Sequence, residues 1–277
     1  MGEGAESGRV RDEESFPGSD QTHENRWTTT WSYNPPMKGK VGEALSAGDL
    51  YVALQPIVNF ERREVFGHEA LARCKSPLFK EPRALINEAL ASACMGELGR
   101  ALRAMAAQSC PRTALFLNLH PAEFNEGWLV RRDDAIFFHD ETIYLEITES
   151  VPLSHYEHCH GVLREIRGRG ISLVVDDLGA GYSNLKYIAD LSPEVVKLDR
   201  DLIANLRSQT RMHKLVTAIV RLCDDLGAKV VAEGIETIDE MRAVIDTGAH
   251  YGQGYLFARP AAPAPEVDWK VLEERRK

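Results

Sequence analysis

The 277-residue sequence lacks an apolar run of about 20 residues, the length that a membrane-spanning helix requires. Residues 1–20 are acidic and lack the apolar segment of a secretory signal peptide. These absences predict a cytoplasmic protein with no membrane partner. The formal net charge of -9 also argues against nonspecific binding to a nucleic-acid polymer, which depends on excess lysine and arginine.

Cysteine is scarce, and none of it lies in C-x-x-C spacing: Cys74, Cys94, Cys110, Cys159 and Cys223. An odd number without paired spacing favours reduced thiols over a disulfide framework. One stretch has a concentration of possible zinc ligands, namely His155, His158, Cys159 and His160. An exposed polar helix face explains the same residues, so both interpretations stay open here.

Residues 1–40 contain few aliphatic side chains and much glycine, serine and acid. Such a segment cannot bury enough apolar surface to fold alone, which predicts a disordered or linker-like tail. Trp27, Trp31 and Tyr33 leave a second interpretation open, in which the tail docks on the domain or on a regulatory protein partner. We expect one domain over residues 41–265 and a charged end over residues 266–277.

Short apolar runs that each end in a polar side chain recur at intervals of helix length. The run Ile171–Val175, for example, leads into Asp176 and Asp177. Comparable runs end at or just before Glu69, Asn118, Glu146, Lys197 and Glu233. Parallel strands with functional residues at their C-terminal ends produce this pattern, and about eight strand candidates over roughly 250 residues predict a TIM-type (β/α)8 barrel of the α/β class.

The first two strand candidates follow each other too closely for a helix to lie between them. Residues 51–58 and 64–70 are joined by the polar residues 59–63. Parallel neighbours need a crossover of a dozen or more residues, so the first strand is predicted to run antiparallel to the second. The barrel is therefore expected to be a modified one.

The acids Asp176 and Asp177 pose an electrostatic problem. Two adjacent carboxylates at the end of a buried strand repel each other and require water or a cation, for which a divalent metal is suited. Taken alone, either Asp could instead be a helix cap or a turn residue. Lys197 stands between Val196 and Leu198, which predicts a buried lysine with a carboxylate partner.

Together these motifs resemble the EAL-domain phosphodiesterases, which hydrolyse the bacterial second messenger cyclic di-GMP. The resemblance runs from about Leu50 to Pro260. Its motifs, in family order, are Gln55–Ile57, Glu69–Leu71, Asn118, Glu146–Glu149, Asp176–Ser183, Lys197–Asp199, Glu233–Glu236 and Gln253–Phe257. A single E-A-L tripeptide would carry no weight, whereas this ordered set makes coincidence negligible.

The resemblance implies hydrolysis of cyclic di-GMP to linear pGpG with two Mg²⁺ or Mn²⁺ ions per active site. It implies that one ion is held by Glu69, Asn118, Glu146 and Asp176, and that the second is held by Asp176 and Asp177. All of these ligands are oxygen donors, which suit Mg²⁺ or Mn²⁺ better than zinc.

The resemblance also assigns roles to residues around the ions. Catalysis is implied for Glu233 as general base, for Lys197 as the cation that positions the attacking water, and for Asp177. Substrate contacts are implied at Gln55, Glu69, Leu71, Arg73, Glu236 and Gln253. Glu149 is implied to anchor the loop after Asp177. His68 and His120 either donate a hydrogen bond to a metal ligand or form hydrogen bonds in the core.

The sequence departs from the family pattern at Leu178, where phenylalanine is usual, and at Asp201, where serine is common. Neither change removes a ligand, although Leu178 belongs to a loop coupled to a dimer interface; a homodimer is expected. The alternative is a catalytically silent EAL module that binds cyclic di-GMP or a protein partner. A barrel lyase or glycosidase would need paired carboxylates without Asn118 and Lys197 in this order.

Overall fold

A computed structural model of the chain describes residues 37, 39–125, 128–148, 156–180 and 185–276. Within these ranges eight strands close into one barrel in chain order. The strands are β1 (Leu50–Asn59), β2 (Glu64–Cys74), β3 (Ala114–Asn118), β4 (Ile143–Thr148), β5 (Ser172–Leu178), β6 (Val195–Leu198), β7 (Lys229–Ala232) and β8 (Tyr251–Gly252).

Helices lie between most of the strands, as the periodicity predicts. They are α1 (Gly39–Ser46), α2 (Pro82–Ala91), α3 (Met95–Ser109), α4 (Tyr156–Arg167), α5 (Lys186–Leu191), α6 (Arg200–Ile203), α7 (Arg211–Asp225) and α8 (Ile238–Thr247). Short 3₁₀ helices cover Pro121–Asn125, Trp128–Val130, Ala135–Phe138 and Trp269–Arg276. Within the described ranges, no helix is long and apolar enough to cross a lipid bilayer.

Strand β1 runs antiparallel to both of its neighbours, β2 and β8, whereas the pairs from β2 to β8 are parallel. A tight turn connects β1 to β2, in which Asn59 Oδ1 accepts hydrogen bonds from the amides of Glu61 and Arg62 at 3.0 Å each. A turn of this kind leaves no room for a crossover helix. The prediction of a modified TIM barrel with an antiparallel first strand is confirmed.

The lower half of the barrel interior is apolar. Its buried members are Ile57, Phe116, Val174, Val195 and Val231, with the partly buried rings of Phe66, Tyr144 and Tyr251 packed against them. Phe66 stacks on Tyr251 with ring centroids 4.0 Å apart, and Phe116 stacks on Tyr144 at 4.4 Å. These side chains fill the barrel below the strand ends.

A polar layer lies directly above this apolar layer because strand side chains alternate between the two faces of the sheet. The residue two positions after an interior apolar residue also faces the interior. Phe116 is thus followed by Asn118, Val174 by Asp176 and Val195 by Lys197. The intervening residues point outward and form the core beneath the helices, as Leu117, Leu145 and Val196 do.

Helix α7 has two apolar faces. Val216, Val220 and Cys223 are buried against the barrel. A second row, the α7 stripe, consists of Met212, Leu215, Ile219, Leu222 and the C-cap residue Leu226. Four of these side chains are exposed, whereas Ile219 is partly buried and packs against the core. Leu215 is 49% exposed and Leu226 is 45% exposed. Helical spacing therefore predicts the helix correctly, but the leucines that show it most clearly do not face the core.

The ends of the domain contain more structure than the sequence suggests. Helix α1 begins at Gly39, and Met37 packs against the small apolar cluster around Leu85 and Leu98. Near the C-terminus, Leu272 is buried in the main core. The aromatic residues of the predicted tail lie outside the described residues.

Candidate active site

Lys197 is the centre of the polar layer, and its side chain is 1% exposed. Its Nζ atom lies near four carboxylates: 2.6 Å from Glu233 Oε1, 2.7 Å from Glu146 Oε1, 3.2 Å from Asp176 Oδ1 and 3.4 Å from Glu69 Oε2. The predicted buried lysine with carboxylate partners is present. If all of these groups are ionised, four negative charges surround one positive charge.

Strand pairing brings the other polar residues to the same end of the barrel. Asn118 lies opposite Glu146 in the β3–β4 pair, and Gln55 lies opposite Glu69 in the β1–β2 pair. Asn118 Nδ2 donates to Glu69 Oε1 at 3.1 Å, and Gln253 Nε2 donates to Glu69 Oε2 at 2.6 Å. The Glu69 carboxylate is therefore held in place from two sides.

Burial and like-charge repulsion dominate the electrostatics of the layer. Burial, followed by repulsion from Asp176 and Glu69, raises the pKa of Glu233 to about 8 although Lys197 opposes the shift. Burial and the neighbouring Asp176 raise the pKa of Asp177 to about 6. Burial also raises the pKa of Glu146 well above its usual value. A cation bound here would favour the ionised forms.

Burial and hydrogen bonding shift the pKa of Glu69 in opposite directions. Burial would raise the pKa of Glu69, but the Lys197 charge and hydrogen bonds from Gln253 and Asn118 outweigh it and lower the pKa. Burial would lower the pKa of Lys197, but the surrounding carboxylates raise it well above its usual value. The ammonium group therefore stays charged.

The oxygen atoms at this end of the barrel fit a divalent cation. Asp176, Asp177 and Glu233 each offer one carboxylate oxygen, and these three atoms lie within 4.8 Å of one another. Among the described residues, Glu146 Oε2 is buried and has no hydrogen-bond partner. Buried carboxylate oxygens that lack donors are suited to a hard cation such as Mg²⁺ or Mn²⁺.

Asp177 has an unusual backbone conformation, with a φ angle of 59°. This left-handed conformation is uncommon outside glycine but is tolerated by aspartate, and it costs about 1–3 kcal/mol. It turns the chain at the end of β5. The carboxylates of Asp176 and Asp177 therefore lie together beside Glu233, although adjacent residues of a regular strand face opposite sides of the sheet. Strain of this kind is concentrated at functional sites.

A cleft of about 390 Å³ opens above the charged layer. Its walls include most of the predicted substrate-binding and metal-binding residues: Gln55, Glu69, Leu71, Asn118, Asp176, Asp177, Lys197, Glu233, Glu236 and Gln253. Two predicted residues do not line it. Glu146 is fully buried below, and Arg73 donates to the carbonyl of Ala72 at 2.9 Å.

The remaining residues singled out in the sequence lie elsewhere. Cys110 Sγ lies 3.6 Å from His68 Nδ1 in a buried pair away from the cleft, and His120 Nδ1 accepts from the amide of Ala122 at 3.1 Å. Both histidines thus form local hydrogen bonds. Glu149 and His155 lie outside the described residues, so the loop-anchoring role and the zinc site remain hypotheses.

The cleft also contains two side chains to which sequence reasoning assigned no role, those of Arg200 and Tyr255. Arg200 Nη2 lies 2.9 Å from Glu236 Oε1. The Arg200 side chain crosses over Gly234, where a Cβ atom would lie 2.4 Å from Arg200 Cγ. Gly234, with a φ angle of 66°, therefore leaves space for this arginine beside Glu233. The position of Arg200 two residues after the end of β6 was the available signal.

Comparison with known proteins agrees with this geometry. The model of the EAL domain family matches residues 39–260, and the chain belongs to that family. Two relatives from Pseudomonas aeruginosa are each 30% identical: the cyclic di-GMP phosphodiesterase PA2567 over 86% of this chain and the cyclic di-GMP phosphodiesterase RocR over 84%. The chain covers 44% of the former and 63% of the latter, less than two thirds of each.

A solved structure shows the same fold with ligands. The manganese and cyclic di-GMP complex of BlrP1 from Klebsiella pneumoniae matches 77% of this chain and 56% of its own, with a TM-score of 0.68 and 29% identity. That protein holds manganese and the cyclic dinucleotide together.

Replacing Lys197 with methionine tests whether the ammonium group holds the layer together. In excess EDTA, we expect the free energy of unfolding to fall by about 3–5 kcal/mol, because the carboxylates lose their buried counter-charge. Urea unfolding followed by circular dichroism measures the change. The control is Lys80→Met, which removes an exposed lysine. Equal stability of the Lys197 variant and the wild type would contradict this account.

Proposed function

We propose that this chain hydrolyses one phosphodiester bond of cyclic di-GMP and releases linear pGpG, using two divalent cations, Mg²⁺ or Mn²⁺. The main support is the group of oxygen ligands around Lys197, with Asp176, Asp177 and Glu233 converging at the floor of a cleft. The names of the relatives support the same substrate. Because cyclic di-GMP is a bacterial second messenger, the reaction would take place in the cytoplasm.

The proposed ligands divide into two sets. Glu69, Asn118, Glu146 and Asp176 would hold one cation, and Asp176 with Asp177 would hold the other. When bound, the cations would lower the pKa of the attacking water and neutralise charge on the phosphodiester. The hydrogen bond between Asn118 Nδ2 and Glu69 Oε1 leaves Asn118 Oδ1, the atom suited to a hard cation, free to serve as a ligand.

Glu233 is the proposed general base. Its carboxylate would take one proton from the attacking water while the water oxygen bonds to phosphorus and the bond from phosphorus to one ribose oxygen breaks. The departing ribose oxygen would take a proton from solvent and leave as a hydroxyl group. Lys197 Nζ holds Glu233 Oε1 at 2.6 Å and so fixes its orientation. Cations bound beside Glu233 would favour its ionised form, which is the form that accepts a proton.

The cleft walls would bind the remainder of the nucleotide. A volume of about 390 Å³ falls in the usual range for small-molecule sites. Gln55, Leu71, Glu236 and Gln253 remain the proposed contacts, with Arg200 as a cation for phosphate or base oxygens. Arg73 remains a proposed phosphate contact, made by the N–H groups of its guanidinium other than the one that donates to the carbonyl of Ala72.

A catalytically silent module that binds cyclic di-GMP or a protein partner is the alternative. Such a module could lose the base or a ligand without consequence. Here Glu233, Asp176 and Asp177 retain both their residue types and their convergence. We therefore favour the enzyme. A regulatory partner for residues 1–40 remains a proposal, since residues 37, 39 and 40 are the part of that segment that the structure describes.

We also propose a homodimer formed by the α7 stripe. Its five apolar residues follow a spacing of three and four, the repeat by which two helices pack along one seam. The helix is basic near its start, with Arg211 and Lys214, and acidic near its end, with Asp224 and Asp225. Antiparallel pairing with a second copy places opposite charges together, whereas parallel pairing would oppose like charges.

Glu233→Gln should retain nucleotide binding but lose about 10²–10⁴-fold in rate, because the amide cannot accept the proton. The measurement is chromatographic separation of pGpG from cyclic di-GMP in Mn²⁺. The same assay should show wild-type turnover stopping in excess EDTA. The matched control, Glu141→Gln, alters an exposed carboxylate. A near-normal rate in Glu233→Gln would require another base, with Glu236 the next candidate, and turnover in EDTA would exclude the metal mechanism.

Leu215→Asp combined with Leu222→Asp should convert a dimer into a monomer, because charged side chains cannot be buried along the seam. Size-exclusion chromatography with light scattering should give the chain mass of 30.9 kDa for the variant and twice that for the wild type. Leu78→Asp is the control, since Leu78 is 58% exposed elsewhere. A monomeric wild type, or a variant that still dimerises, would contradict the interface.

A further inference from the structure

A second buried charge cluster lies behind the active site. Arg103 of α3 is 2% exposed, and Glu123 and Asp134 are fully buried. Arg103 Nη1 donates to Glu123 Oε2 at 2.6 Å, while Nη2 and Nε donate to Asp134 Oδ2 at 2.9 and 3.2 Å. Replacing such a group with an apolar one is often harmless to stability, so its presence calls for a functional explanation.

Helix α3 is shaped to admit this cluster. The Glu123 carboxylate lies against Gly99, where a Cβ atom would come within 2.1 Å of Glu123 Oε2. Gly99 lies inside a helix, where glycine is less favourable than alanine. Space for the carboxylate therefore takes precedence over helix stability at this position.

The cluster is connected to the metal-binding end of β3. Glu123 Oε1 accepts a hydrogen bond from the amide of His120 at 3.1 Å. The amide of Leu119 donates to the carbonyl of Glu146 at 3.0 Å. These two bonds fix the backbone immediately after Asn118, one from the α3 side and one from β4.

Packing alone does not fix this segment. A cavity of about 320 Å³ lies behind it, and its lining includes Asn118, His120, Pro121, Glu123 and Arg103. Because a gap forfeits van der Waals contacts, the directional bonds made by Glu123 have more influence on where the segment lies.

We propose that Arg103 is a positioning residue: through Glu123 and the His120 amide it sets the position of Asn118 as a metal ligand. This inference rests on the proposed function, since it takes Asn118 to be a ligand. Arg103 itself touches neither metal nor nucleotide. Groups that orient a ligand from behind typically change metal affinity by about 10–100-fold when removed.

The test is the affinity for Mn²⁺ alone, measured as loss of the free-ion signal in electron paramagnetic resonance. Arg103→Met should weaken Mn²⁺ binding about 10-fold, and Arg103→Lys should recover part of the loss. The control is Arg100→Met, which removes a buried guanidinium one turn away on α3 that bonds Asp133 instead. That variant should bind Mn²⁺ like the wild type. Glu123→Gln, a milder change, should shift affinity in the same direction as Arg103→Met.

Coupling to Asn118 separates positioning from general destabilisation. In an Asn118→Ala background, adding Arg103→Met should weaken Mn²⁺ binding no further, because the ligand is already absent. An equal, additive loss in that background, or unchanged affinity in both Arg103→Met and Glu123→Gln, would overturn the inference while leaving the metal site intact. A wild type that binds no Mn²⁺ would overturn the metal site and this inference together.

Discussion

One ammonium group lies buried among four carboxylates, and the upper half of the barrel is arranged around it. Lys197 Nζ has Glu233 at 2.6 Å and Glu146 at 2.7 Å, with Asp176 and Glu69 slightly further away. Excess negative charge of this kind is costly inside a protein unless further positive charge is available. The raised pKa values of Glu146 and Glu233 express that cost. The same excess would favour a bound cation at this end of the barrel.

The fold supplies what this charge cluster requires. Parallel strands bring their C-terminal ends to one face, and the two-residue alternation places each polar residue above an apolar one. Rings such as Phe116 and Tyr144 close the barrel below. Water can therefore reach the acids from the cleft above, where a phosphodiester would also enter. The same strand geometry thus produces both the apolar layer that stabilises the barrel and the polar layer that forms the candidate site.

Much of this arrangement could be predicted from the sequence because it depends on local order along the chain. The antiparallel first strand follows from a short connection, and the converging polar residues follow from strands that end in Asn118, Asp176 and Lys197. A buried lysine requires a carboxylate partner in any fold, so the environment of Lys197 could also be predicted. These predictions require no knowledge of which distant residues meet.

Other features depend on contacts between distant residues and left no local pattern. The pairing of Arg103 with Glu123 and Asp134 joins segments that only tertiary packing brings together. The outward direction of Leu215 could not be inferred, since both faces of α7 are apolar. The family resemblance likewise implied a substrate contact for Arg73, yet its guanidinium donates to the carbonyl of Ala72.

A crystal structure with Mn²⁺ and cyclic di-GMP, with data collected at the manganese absorption edge, tests the central claim most directly. The account predicts two anomalous peaks in the cleft. One should lie among the oxygens of Glu69, Asn118, Glu146 and Asp176, and one should lie beside those of Asp176 and Asp177. Nucleotide bound in the cleft without manganese at these oxygens, or manganese bound elsewhere on the barrel, would contradict it.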